Sequence, residues 1–85
     1  MPMDTVVRIR RILRDTLNLG DRAEKLNPAS ALLGGIPEFD SMAVVTVLTM
    51  IEDDFGIAID DDEVTAAVFE TLGTLVSFVD QKVSG

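Results

Sequence analysis

The chain has 85 residues, 47% of them apolar, with 15 acidic and 7 basic side chains and a formal net charge of −8. This length limits the chain to one domain over residues 1–85, and the apolar content is sufficient for a hydrophobic core. Because the sequence has no Cys and no His, it excludes disulfides, thiolate or histidine catalysis and Cys/His zinc sites, and we expect no enzyme activity and no metal centre.

A first helix is predicted over residues 4–17. Val6, Ile9, Leu13 and Leu17 recur at the spacing of one helical face, which should be buried. The same segment carries four arginines, Arg8, Arg10, Arg11 and Arg14. They either form a solvated face or balance the charge of acids on other helices.

A long connection is predicted over residues 18–40, where Gly and Pro recur. Connections longer than about 12–15 residues are uncommon in compact domains and are often functional. Six apolar side chains should anchor this one to the core: Leu26, Ala31, Leu32, Leu33, Ile36 and Phe39. A short helical turn is expected over residues 29–33, after Pro28.

A second helix is predicted over residues 41–55, closed by Gly56. Its first ten residues are almost entirely apolar. Met42 and Val45 fall on a different face from its main apolar stripe, and Met50 is expected to fill the core. A helix that is apolar on nearly all sides is either central or faces a partner.

Two further helices complete the predicted fold. The third, over residues 61–69, is short and begins with the acids of residues 60–63, which favour a helix start. Weak Ca²⁺ or Mg²⁺ association is the alternative for these acids, although the spacing of a calcium-binding loop is absent. The fourth covers residues 72–83, with Leu72, Leu75, Val76 and Val79 as its buried stripe. The fold class is therefore all-α, a small four-helix bundle with a long loop between its first two helices.

The charge is distributed unevenly along this fold. Residues 1–28 hold six of the seven basic side chains, and residues 29–85 hold eleven of the fifteen acidic ones. Such an acidic excess opposes binding to nucleic acid and favours basic protein partners. Since no apolar stretch is long enough to span a bilayer and no signal peptide is visible, we expect a cytoplasmic protein without membrane insertion. The small size of the chain favours a monomer.

The candidate site lies at the start of the second helix, in residues 38–42. The exposed N–H groups and positive dipole end of a helix favour an anion there, such as a phosphodiester on the Ser41 hydroxyl. Glu38 and Asp40 oppose a bound anion and instead attract the cationic surface of a modifying enzyme. The alternative is that Asp40 or Ser41 is only an N-cap.

The order of these segments resembles the acyl carrier protein family over nearly the whole chain, residues 6–83. The matching motifs are Asp40, Ser41 and Met42 at the second helix, the acidic end of that helix at residues 51–55, and residues 72–75. The resemblance implies that Ser41 carries 4′-phosphopantetheine, attached from coenzyme A by a phosphopantetheinyl transferase. It also implies that the arm holds an acyl or aminoacyl thioester for loading and transfer enzymes in lipid or secondary-metabolite biosynthesis.

Two departures from the family pattern concern partner recognition. Met42 stands where Leu is commoner, and the first turns of the second helix lack the acids that dock onto basic enzymes in typical bacterial members. A more apolar interface is therefore expected, with Glu38, Asp40, Met42 and Val45 as its recognition residues. The rival interpretation is a non-catalytic scaffold module that binds partners through the apolar second helix.

Overall fold

The structure, a computed structural model, describes residues 3–37 and 39–84. It contains three α-helices, α1 (Met3–Leu17), α2 (Ser41–Phe55) and α3 (Leu72–Ser84). Three short 3-10 helices lie between them, at Gly20–Lys25, Asp61–Glu63 and Ala66–Phe69. The all-α fold is confirmed, and the bounds of α2 are those predicted from the sequence. None of the described helices is long and apolar enough to cross a bilayer.

The core is built from the apolar stripes that the sequence predicts on the first and last helices. On α1 the four predicted residues are buried, together with Ile12. On α3 the buried residues are Leu72, Leu75, Val76 and Val79, all with no exposed surface. The helical spacing alone therefore identifies which faces of α1 and α3 pack inward.

Polar contacts connect α1 to the other two α-helices. The Arg8 Nε donates to Asp54 Oδ2 at 2.9 Å, and its guanidinium lies 3.9 Å from the centroid of the Phe55 ring. Nearer the start of α1, the Thr5 hydroxyl donates to Asp80 Oδ1 at 2.8 Å. Asp54 lies in the last turn of α2 and Asp80 in the second half of α3, so these contacts bring the first half of α1 against the later part of both helices.

The long connection differs from its prediction in two respects. It contains the unpredicted 3-10 helix Gly20–Lys25, and residues 29–33 do not form the expected helical turn. Instead, the backbone of residues 28–33 pairs with that of residues 69–73. Ala31 and Thr71 form an antiparallel bridge, and the Leu33 N–H donates to the Phe69 carbonyl at 2.9 Å. Backbone groups used in this pairing are not available for helical bonds.

The expected anchors of this connection divide by burial. Leu32, Ile36 and Phe39 are buried, and Leu26 is partly buried against the core. The prediction was wrong for the two others, because Ala31 is exposed and Leu33 is 42% exposed.

The predicted third helix is also wrong in detail. Residues 61–69 form two 3-10 helices separated by Val64 and Thr65, and Thr65 is extended, with φ −126° and ψ 167°. Its carbonyl accepts an i→i+3 bond from Val68 N at 3.0 Å. Adjacent β-branched residues favour extended backbone, which interrupts the helix here.

An ion pair ties this segment to α3. The Lys82 Nζ donates to both carboxylate oxygens of Glu63, at 2.8 and 2.9 Å. These bonds, and the one from the Asp60 backbone N–H, hold the pKa of Glu63 below its ordinary value of 4.5.

Candidate functional site

Asp40 and Ser41 have separate roles at the start of α2. Asp40 has an extended backbone, and its Oδ1 accepts from Ala43 N at 2.9 Å, while its carbonyl accepts from Val44 N at 3.0 Å. Asp40 is therefore the N-cap. Ser41 is the first helical residue, and its exposed hydroxyl has no hydrogen-bond partner among the residues described. The cap does not consume the serine hydroxyl.

The segment before the cap holds this serine in place. Phe39 is only 4% exposed and packs edge-on against Phe69, with ring centroids 5.5 Å apart. Its backbone N–H donates to the carbonyl of Ile36 at 3.0 Å, and Ile36 is also buried. Glu38, which was predicted to attract a partner, lies outside the described residues. Ser41 thus follows a buried aromatic anchor by two residues, at the first position of α2.

One exposed face of α2 carries no charge. We call it the neutral stripe, and its members are Met42, Val45, Thr46, Thr49 and Met50. Met42 is 76% exposed and Val45 61% exposed, and the first turn of α2 contains no acid. The stripe begins beside Ser41, so a protein approaching the serine hydroxyl from this side meets an uncharged surface.

The threonines add to the apolar character of the neutral stripe. The Thr46 hydroxyl donates to the carbonyl of Met42 at 3.1 Å, and the Thr49 hydroxyl donates to that of Val45 at 3.0 Å. These i→i−4 bonds turn both hydroxyl hydrogens toward the helix backbone. A partner that covers the stripe therefore leaves no threonine donor without an acceptor.

Sequence reasoning identified only part of this stripe. Met42 and Val45 were expected on a separate face, and both are exposed. Met50 was expected in the core but is 42% exposed, whereas Val47 is fully buried. The i, i+3, i+4, i+7, i+8 spacing that starts at Met42 was the signal that links these residues to the threonines.

The acids at the end of α2 have mainly structural contacts. The Glu52 Oε2 accepts from Ile59 N at 2.8 Å and so holds the connector that follows the helix. Asp54 pairs with Arg8, while Asp53 is exposed. Within the described residues, no group of three acidic side chains is arranged to hold a metal ion.

Two comparisons with known proteins bear on this site. A family model described as "Phosphopantetheine attachment site" matches residues 7–79. The solution NMR structure of a holo acyl carrier protein from Nitrosomonas europaea is similar to this chain, with 52% identity and a TM-score of 0.89. The match covers 94% of this chain and 96% of the other.

Proposed function

The chain belongs to the acyl carrier protein family, whose members are non-catalytic carriers, and on this premise we propose that Ser41 is the residue that bears its 4′-phosphopantetheine. The observation that carries this proposal is the exposed Ser41 hydroxyl at the start of α2, which the Asp40 cap does not use and which has no hydrogen-bond partner among the described residues. The position also suits the product, because the positive end of a helix dipole favours the negative charge of a phosphodiester.

Attachment requires a phosphopantetheinyl transferase as the partner. The Ser41 oxygen attacks the phosphorus that bears the pantetheine part of coenzyme A, the pyrophosphate bond breaks, and adenosine 3′,5′-bisphosphate leaves while the hydroxyl proton passes to a base of the transferase. When bound, the arm supplies a terminal thiol that holds an acyl or aminoacyl group as a thioester. The chain has no His and no Cys, in keeping with a protein that presents cargo and does not transform it.

The contribution of the protein itself is positional. The capped start of α2 holds one end of the arm, so the cargo is confined near any enzyme that binds the carrier. This confinement raises the effective concentration of cargo at the partner active site. The proposal has three further parts. The protein is a cytoplasmic monomer, its partners are loading and transfer enzymes, and it acts in lipid or secondary-metabolite biosynthesis.

The recognition residues that we propose are Glu38, Asp40, Met42 and Val45. The exposure of Met42 and Val45 and the inward-turned threonine hydroxyls support docking by apolar burial, with Asp40 as a charge at its edge. A Val45→Glu variant separates this mode from ionic docking, because an added acid weakens an apolar contact and strengthens one to a basic surface. We expect a lower kcat/KM for loading, with Val83→Glu as a control at another exposed valine.

Intact mass spectrometry tests the assignment of Ser41. After incubation with coenzyme A and a broad-specificity phosphopantetheinyl transferase, the wild type should gain one phosphopantetheine and Ser41→Ala none. The exposed Ser77 provides the matched control, since Ser77→Ala should load like the wild type. Loading of Ser41→Ala would place the arm elsewhere. No loading of any variant, under conditions that load a known carrier, would favour the scaffold function through the neutral stripe.

A further inference from the structure

A second surface feature lies between α1 and the 3-10 helix Gly20–Lys25. It is a half-open groove of about 180 Å³, which we call the arginine groove. Its lining residues are Val7, Arg10, Arg11, Arg14, Ala23 and Glu24. Three arginines and one glutamate thus line the groove together with two apolar residues, in a protein whose net charge is −8.

The arginines of this groove are poorly neutralised by the rest of the molecule. Among the described residues, Arg14 pairs only with its neighbour Asp15, at 3.2 Å and in an exposed position. Arg10 donates to the carbonyl of Leu26 at 3.4 Å, which is a long bond to an uncharged group. Arg11 is exposed and has no ion-pair partner among the residues described. The groove therefore keeps positive charge that is free to bind an anion.

Arg8, on the same helix and two residues before Arg10, shows the contrast. It lies outside the groove and is fully engaged, with two hydrogen bonds to Asp54 and its guanidinium over the Phe55 ring. Arg8 therefore balances an acid on another helix, which is one of the two alternatives that the sequence left open for the arginines of α1. The groove arginines need a separate explanation.

The geometry of the groove favours carboxylates as ligands. A guanidinium group presents paired N–H donors that match a carboxylate. Arg11 and Arg14, the two exposed arginines of the groove, are three residues apart, with about 5–6 Å between Cβ atoms, which is also the spacing of two acids at i and i+4 on another helix. Val7, 39% exposed, and Ala23 provide apolar contact for the methylene groups of such acids.

Other anionic ligands fit this groove less well. Glu24 on its wall and the net charge of −8 oppose a polyphosphate, whose charge is more concentrated than that of single carboxylates. A flat anionic bilayer has no means of entering a concave groove between two helices. We propose that the arginine groove binds an acidic helical segment of a partner protein, in which two carboxylates are one turn apart.

This contact is independent of Ser41 and of its arm, so it is tested on the unloaded chain. The probe is a helical peptide of alanine and leucine with two Glu at i and i+4, compared with the same peptide carrying Gln. In a titration of ¹⁵N-labelled chain, the Glu peptide should shift the amides of residues 7–14 and 23–24. Equal binding of the Gln peptide, or shifts confined to other residues, would overturn the proposal.

A matched pair of charge variants locates the contact. Arg11→Gln should weaken binding of the Glu peptide about fivefold, the upper range for an exposed ion pair. Lys25→Gln removes the same charge from an exposed residue outside the groove and should change affinity less than twofold. Since Arg11 has no described ion pair to lose, its variant should keep the wild-type circular dichroism spectrum. Equal effects of the two variants would show a response to net charge alone and would refute the proposal. Tighter binding of inorganic phosphate or of anionic phosphatidylglycerol vesicles than of the peptide would also refute it.

Discussion

The division of roles between Asp40 and Ser41 leads to a prediction about stability. Asp40→Ala removes the carboxylate that accepts from Ala43 N at 2.9 Å and leaves that N–H to solvent. Loss of an N-cap costs about 1 kcal/mol, within a range of about 0.5–2 kcal/mol. For a domain of this size, about 1 kcal/mol lowers Tm by roughly 4–8 °C. Ser41→Ala removes an exposed hydroxyl without a described partner, so its effect should stay within about 0.5 kcal/mol.

Asp40→Asn separates the hydrogen bond from the charge. Asn caps helices about as well as Asp, so this variant should lose only the interaction of the charge with the helix dipole, about 0.3–1 kcal/mol. Urea unfolding followed by circular dichroism is the suitable assay, because the chain has no Trp or Tyr for fluorescence. The reasoning is refuted if Ser41→Ala destabilises as much as Asp40→Ala, since the serine would then be the structural cap.

Three other changes test the packing and the ion pair. In urea unfolding, Val47→Ala should cost about 2 kcal/mol for two buried methyl groups, whereas the same change at Val45 should stay within about 0.5 kcal/mol; equal effects would contradict the burial of α2. Gly35→Ala should lower Tm, because a Cβ there would lie 2.5 Å from a backbone oxygen, and an unchanged Tm would show that the loop can move. Since Lys82 lowers the pKa of Glu63, the pair stabilises the fold above pH 4.5 and loses this effect as the pH falls through the lowered pKa. The urea midpoint of Glu63→Gln should therefore lie below that of the wild type at neutral pH and approach it in strong acid, and a constant difference would exclude this linkage.

The sequence predicts the elements whose signals are local. The limits of α2 follow from Asp40, a good N-cap, and from Gly56, which adopts the left-handed conformation that ends the helix, with φ 66°. Periodic apolar residues likewise identify the buried faces of α1 and α3. For these three helices, short-range chemistry and tertiary packing favour the same conformation.

Elements that depend on distant partners were not predictable in this way. Residues 28–33 lack a helical turn because their backbone pairs with residues 69–73, some forty residues away in sequence. Within the site, the sequence left the cap open between Asp40 and Ser41, because both residue types cap helices well. Only the backbone angles and the bond to Ala43 N distinguish them. The directions of the Thr46 and Thr49 hydroxyls could not be predicted from the sequence either, since a threonine on a helix surface can donate to water or to a carbonyl of its own helix.

Those hydroxyl directions have a consequence for how partners find the carrier. A buried donor without an acceptor costs about 1–3 kcal/mol, so two outward threonine donors would penalise any apolar partner. Because both donors are bonded within α2, covering the neutral stripe avoids this cost. The stripe itself provides no charge for long-range steering, which then comes from Asp40 and the exposed acids beyond its far end. In the docking mode proposed above, charge at the edges would govern the rate of encounter, while the shape and apolar character of the stripe would govern how long each partner stays bound.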